Sequence, residues 1–80
     1  MDTTAAQQVA AEVRAALARH RLSQRDLASA TGKSQAYWSR RMTGETALDV
    51  VDLSALAAFT HVPVAQLVAP LDQVGEANGS

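Results

Sequence analysis

Two helix starts stand eleven residues apart with a glycine between them, and that spacing constrains the fold of this chain more than any other feature. Ser23 is followed three residues later by Asp26, Ser34 opens the run Gln35-Ala36-Tyr37-Trp38, and Gly32 falls two residues before the second start. A serine at a helix start accepts a bond from the amide three residues on, and an acid there returns it, so Ser23 caps a helix while Leu22 staples onto Leu27. Gly32 takes the left-handed geometry of a helix end at no steric cost. Residues 23–43 therefore read as helix, tight turn, helix.

The flanks divide by the same punctuation. Thr4 with Gln7 makes a capping box, and Ala6, Val9, Ala10, Val13, Ala16 and Leu17 recur at helical spacing, which predicts a first helix from about Ala5 to His20. After Gly44, either Thr46 or Asp49 caps a fourth helix that carries Val50, Leu53, Leu56, Ala57 and Phe59 and stops near Thr60. Pro63 opens a short fifth helix through about Ala69, with Val64, Leu67 and Val68 apolar, and Pro70 blocks its continuation. The last ten residues, 71–80, read as a disordered tail behind one domain of residues 1–70. With 17 alanines and only three aromatics, the core must come from thin, closely packed helices, so the predicted class is all-α, a compact bundle of about five short helices.

On the third helix each residue advances by about 100°, so when Trp38 points at the core, Met42 and Ser34 fall within about 40° of it. Ala36 and Arg40 then lie near the opposite pole, with Ser39 and Thr43 beside them. Tyr37 sits on the flank, where its hydroxyl stays wet. Arg41 lies about 60° from Trp38 and must run along the boundary with its guanidinium reaching solvent or a phosphate. Trp38 reads as core rather than as a stacking platform, since its partner one turn on is Met42.

Charge sharpens the picture. The net charge is −1, yet all seven bases (Arg14, Arg19, Arg21, Arg25, Lys33, Arg40 and Arg41) lie between positions 14 and 41, opposed there only by Asp26, a local formal charge of +6. Acids dominate on both sides of it. A cationic segment that coincides with the helix pair suits an anionic polymer.

The stretch Leu22-Ser-Gln-Arg-Asp-Leu-Ala-Ser-Ala-Thr-Gly-Lys-Ser-Gln-Ala-Tyr-Trp-Ser-Arg-Arg-Met-Thr-Gly-Glu45, continued by Leu56-Ala57, Val62, Val64 and Leu67, resembles the helix-turn-helix of phage repressors, Cro proteins and XRE-type regulators. The likeness covers roughly residues 9–68. It implies a lambda-repressor-like bundle that binds double-stranded DNA with the 34–43 helix in the major groove. The positions matching the family's base readers are Gln35, Ala36, Ser39 and Arg40. Gln35 has the chemistry to pair with adenine, Arg40 with guanine, and Ala36 to touch a thymine methyl. By the same resemblance Gln24, Arg25, Lys33, Ser34, Tyr37, Arg41 and Thr43 are expected against the DNA backbone. Three positions depart from the pattern. Arg41 stands where the family is usually aliphatic and Met42 where it is usually polar, so either the helix is rotated, which would shift the base-reading positions, or its core contact moves to Met42. Thr60-His61 replaces Leu-Gly, so either His61 accepts an unusual backbone or the cap differs. Phe59 replaces a small residue and makes up lost volume.

Other chemistries find little support. No cysteine is present, which excludes a disulfide framework and thiolate metal sites; His20 and His61 are far apart in sequence, so no metal and no cofactor is expected. No spacing suggests a catalytic triad or paired carboxylates, and enzymatic activity is not expected. Neither a secretory segment nor an apolar run of membrane length occurs, so the chain is expected in the cytoplasm of a bacterial host cell, at the nucleoid, without membrane or small-molecule partners. Six arginines against one lysine, with abundant alanine, fit a high-GC genome such as an actinobacterium or its phage. Arg19, His20 and Arg21 most simply complement a helix dipole. Two functions remain: a transcriptional regulator of the Cro or repressor kind, or a helix-turn-helix module acting mainly through protein partners, antitoxin-like or antirepressor-binding. Val64, Leu67, Val68 and Leu71 are the stripe available for a weak or DNA-dependent homodimer; closing the monomer core is the competing use.

Overall fold

The structure, a computed structural model, describes residues 4–71. The regular secondary structure of these residues is all α-helix: α1 (Ala5–Arg19), α2 (Gln24–Thr31), α3 (Gln35–Met42), α4 (Val50–Thr60) and α5 (Val64–Leu67), with residues 69–71 helical again after a turn at Val68.

Local chemistry sets most of the boundaries. Thr4 and Gln7 exchange both bonds of a capping box, at 3.0 and 3.1 Å, and Ser23 and Asp26 do the same at 3.1 and 3.0 Å. Gly32 ends α2 at φ 73°, and the Ser34 hydroxyl accepts the Tyr37 amide at the start of α3. Of the two caps open for the fourth helix, Asp49 is the one used, in a reciprocal box with Asp52.

Two helix ends use the left-handed region without glycine. α1 closes with Leu22 N–H on the Leu17 carbonyl and Arg21 N–H on the Ala18 carbonyl, a Schellman ending that puts Arg21 at φ 56° and lays Leu22 beside Leu17. His61 at φ 60° ends α4, so it does accept the backbone a glycine would favour. Behind it the Thr60 hydroxyl donates to the Leu56 carbonyl at 2.7 Å and accepts the Val62 amide at 3.2 Å, satisfying the turn from inside.

The core is built on Trp38, Leu27, Met42, Leu56, Leu67 and Val13, all essentially sealed from solvent, with Ala10 and Ala16 letting α1 approach closely. Trp38 and Met42 share the inward stripe of α3, whereas Ser34, expected with them, is exposed at the cap. Val50, expected on the packed face of α4, is 78% exposed, because at 100° per residue it stands about 120° around the helix from Leu56.

The C-terminal stripe also differs from expectation as a dimer surface. Leu67 is fully buried, Val68 and Leu71 pack against the core, and Val64 alone of the four stays more than a third exposed. A chain this short needs those side chains to close its own interior. α5 stops at Leu67 rather than Ala69, and Pro70 lies within the helical residues 69–71, where a first-turn position asks for no N–H donor. Of the expected tail, Leu71 is helical and packed; residues 72–80 lie outside the described residues.

Candidate nucleic-acid interface

α2 and α3 are held as a pair by one polar bridge inside apolar packing. The buried Trp38 indole N–H donates to the Thr31 hydroxyl at 2.9 Å, and that hydroxyl donates to the Leu27 carbonyl at 2.8 Å. The indole thereby keeps a partner although Trp38 is only 1% exposed. With the inward side of α3 fixed this way, Gln35, Ala36, Ser39 and Arg40 are all exposed and spread over an arc of about 140°. None of their side chains has a hydrogen-bond or ion-pair partner among the described residues. Thr43 extends this face, its hydroxyl donating to the Arg40 carbonyl at 3.0 Å.

Around this face the expected backbone contacts divide into two groups. Arg25, Lys33, Ser34 and Thr43 are exposed, and Gln24, the first residue of α2, is half-buried. The Lys33 ammonium lies 5.3 Å from the centre of the Tyr37 ring.

Tyr37 and Arg41 are engaged inward instead. The Tyr37 hydroxyl donates to Asp52 Oδ1 at 2.5 Å, so it is not the wet group anticipated at the edge of α3. Arg41 Nε donates to Asp52 Oδ2 at 2.9 Å, Nη1 donates to the Tyr37 carbonyl at 3.1 Å, and the guanidinium carbon lies 3.5 Å from the Tyr37 ring centre. The Arg41 side chain is 15% exposed and that of Asp52 3%. Desolvation pushes the Asp52 carboxyl up, but the bonds from Tyr37, the Asp49 amide and Arg41 outweigh it and hold it below the usual carboxylate range. Hydrogen bonding to Asp52, aided by burial, pushes the Tyr37 phenol up.

Two residues of this region escape a reading of the sequence. Asp52 was anticipated only as an acid flanking the cationic segment. Arg14 on α1 donates from Nη1 to the carbonyl of Met42, placing a cation on the orphan carbonyls that end α3. For Asp52 a partial signal existed, since Asp49 followed three residues later by an acid has the spacing of a capping box, but its burial with Leu56 and Thr60 and its partners on α3 follow from how α4 docks. For Arg14 no local signal exists.

Among the described residues no group of three or more His, Cys, Asp or Glu side chains could hold a metal, and no helix is long and apolar enough to cross a membrane. Compared with known proteins, residues 8–70 match the model of the family described as helix-turn-helix domain, a span running from within α1 to the helical residues after α5. Searches of curated proteins and of solved structures return no significant match.

Proposed function

Since the chain belongs to the helix-turn-helix domain family, we propose that it is a sequence-specific double-stranded DNA-binding transcriptional regulator of the Cro or repressor kind. In this role α3 enters the major groove. Gln35 and Arg40 read base edges, Ala36 and Ser39 let the helix approach closely, and Gln24, Arg25, Lys33, Ser34 and Thr43 hold the phosphates. Tyr37 and Arg41 are left out of the phosphate set, because Asp52 already holds both.

The observation that carries the proposal is the outward face of α3: Gln35, Ala36, Ser39 and Arg40 are all exposed, and none of their side chains has a hydrogen-bond or ion-pair partner among the described residues. One such module buries only about 600 to 1,000 Å² on DNA, which argues for two copies on an operator with half-sites about 34 to 36 Å apart. With most of the C-terminal stripe consumed by the core, pairing rests on the DNA holding both copies. In this proposed role the protein works in the bacterial cytoplasm. The family is typically non-enzymatic, and no catalytic role is assigned to this chain.

A second proposal, a module working mainly through a protein partner, draws on Val50 and Val51, which are 78% and 75% exposed at the start of α4. Selection of bound duplexes from a random library decides between them. Enrichment of a common motif supports the regulator, two motif copies at one-turn spacing support paired binding, and absence of any enrichment refutes the regulator.

A further inference from the structure

Asp52 belongs to α4, yet the side chains it binds come from α3. Apart from the Asp49 amide of its own capping box, its carboxylate takes the Tyr37 hydroxyl on one oxygen and Arg41 Nε on the other. Arg41 returns to the Tyr37 carbonyl and lies over the Tyr37 ring, so the three side chains close a ring of contacts on one flank of α3. That flank adjoins the arc carrying Gln35, Ala36, Ser39 and Arg40. The Tyr37 ring in turn meets Trp38 edge-on, with centres 5.1 Å apart, linking the polar ring to the core.

Resting on the DNA-binding proposal, we infer that Asp52 is a positioning residue for base reading: through Tyr37 and Arg41 it fixes the rotation of α3 about its own axis, and Arg41 serves this purpose rather than holding a phosphate. Recognition groups must be held within about 0.5 Å and 10–20° of productive geometry, and a long side chain such as Arg40 magnifies any rotation of its helix. A buried carboxylate bonded to two α3 side chains supplies such a constraint because losing Arg41 strands the carboxylate charge out of water, and losing the Tyr37 hydroxyl leaves one of its oxygens short of a partner. If Arg41 were instead a phosphate contact merely neutralised by Asp52, removing the two charges would shift DNA binding in opposite directions.

The test uses the full chain with Asp52→Asn, Arg41→Met and the milder Tyr37→Phe, which keeps both charges and the ring. In the free protein, amide hydrogen exchange should speed up in α3 relative to α1, by about tenfold for Asp52→Asn and less for Tyr37→Phe. Equal acceleration in all helices would make Asp52 a general stabiliser and overturn the inference. On a selected duplex, Asp52→Asn and Arg41→Met should each weaken binding by about tenfold or more, with little change on random duplex and an unchanged salt slope. The double variant should lose no more than the worse single one, as for groups acting in one network. Tighter binding of Asp52→Asn to random DNA, with the slope steeper by about one while Arg41→Met flattens it, would make Arg41 a phosphate contact and overturn the inference. A wild-type chain that prefers no duplex would defeat the DNA-binding proposal by itself, and the exchange result would still decide whether Asp52 holds α3.

Discussion

Replacing Thr31 with valine isolates the hydrogen bond that joins the two helices of the motif. The side chains are nearly equal in shape, so packing around Trp38 is preserved while the indole N–H, 2.9 Å from the Thr31 hydroxyl, loses its acceptor. Trp38 is 1% exposed, leaving that N–H buried without a partner, a penalty of about 1–3 kcal/mol. For a domain of 60–100 residues each kcal/mol lowers Tm by about 4–8 °C, so the change is well within reach of thermal or urea unfolding followed by circular dichroism. Thr31→Ser, which keeps the hydroxyl, should retain most of the stability.

A double-mutant cycle makes the test specific. In a Trp38→Phe background there is no indole donor to strand, so Thr31→Val should lose only the bond from the hydroxyl to the Leu27 carbonyl, and the two penalties should differ by about 1 kcal/mol or more. Equal penalties in both backgrounds, within ~0.3–0.5 kcal/mol, would refute the reasoning, since the bridge would then not depend on the indole.

Other perturbations have equally definite outcomes. Gly44→Ala should lose at least about 1–2 kcal/mol, because φ is +81° and the new Cβ would stand 2.6 Å from Gln7 Cγ and 2.8 Å from Gln7 Cα; an unchanged urea midpoint would contradict this. Folding stability should fall on both sides of neutrality through the Tyr37–Asp52 pair. The depressed carboxyl contributes fully above about pH 4 and is lost as pH falls through its folded pKa, whereas the raised phenol contributes fully below about pH 10 and is lost as pH rises through its own. Since Tyr37 is the single tyrosine, Tyr37→Phe should abolish the phenol's share of the alkaline loss, and its persistence in denaturant titrations would exclude this origin. Arg40→Ala should weaken the best operator by about 1–3 kcal/mol and relax preference at one base pair in competition binding; uniform weakening on every sequence would make Arg40 a phosphate contact.

What was legible in the chain follows the range of the interactions. Ser23, Ser34 and Asp49 bond to groups three residues away, and Gly32 needs only its own missing Cβ, so helix starts and stops could be read locally. Trp38 and Met42 could be turned inward from the step of 100° alone. The ending of α1 could not: Arg21 is left-handed because Leu22 must come back onto Leu17, a demand of packing rather than of Arg21 itself. Arg41 was placed correctly on the boundary of α3, but its choice of Asp52 over solvent depends on how α4 docks. The unusual order Arg41-Met42 makes sense only with that docking known, since Met42 fills the core and Arg41 answers the acid buried on α4.

The same contacts limit how much of the cationic segment is available to DNA, and this sets a measurable slope. Seven bases lie between residues 14 and 41, but Arg41 is paired with Asp52, Arg19 approaches Glu12 at 3.4 Å, and Arg14 is turned onto the Met42 carbonyl. Arg21, Arg25, Lys33 and Arg40 have neither an acid within ion-pair distance nor a side-chain hydrogen bond among the described residues. Each phosphate neutralised on B-DNA contributes about −0.9 to the slope of log affinity against log salt, so four free cations allow about −3.6 per protomer at most, against about −6.3 if all seven took part. Arg40 lowers the first figure further if it reads a base instead of a phosphate. Binding of the full chain to a selected duplex, measured over a range of salt and divided by the number of chains bound, should therefore give a slope no steeper than about −4 per chain. A slope beyond about −5 would require Arg14, Arg19 or Arg41 to leave its partner for the DNA, and would overturn the division between cations that hold the fold and cations that face the duplex.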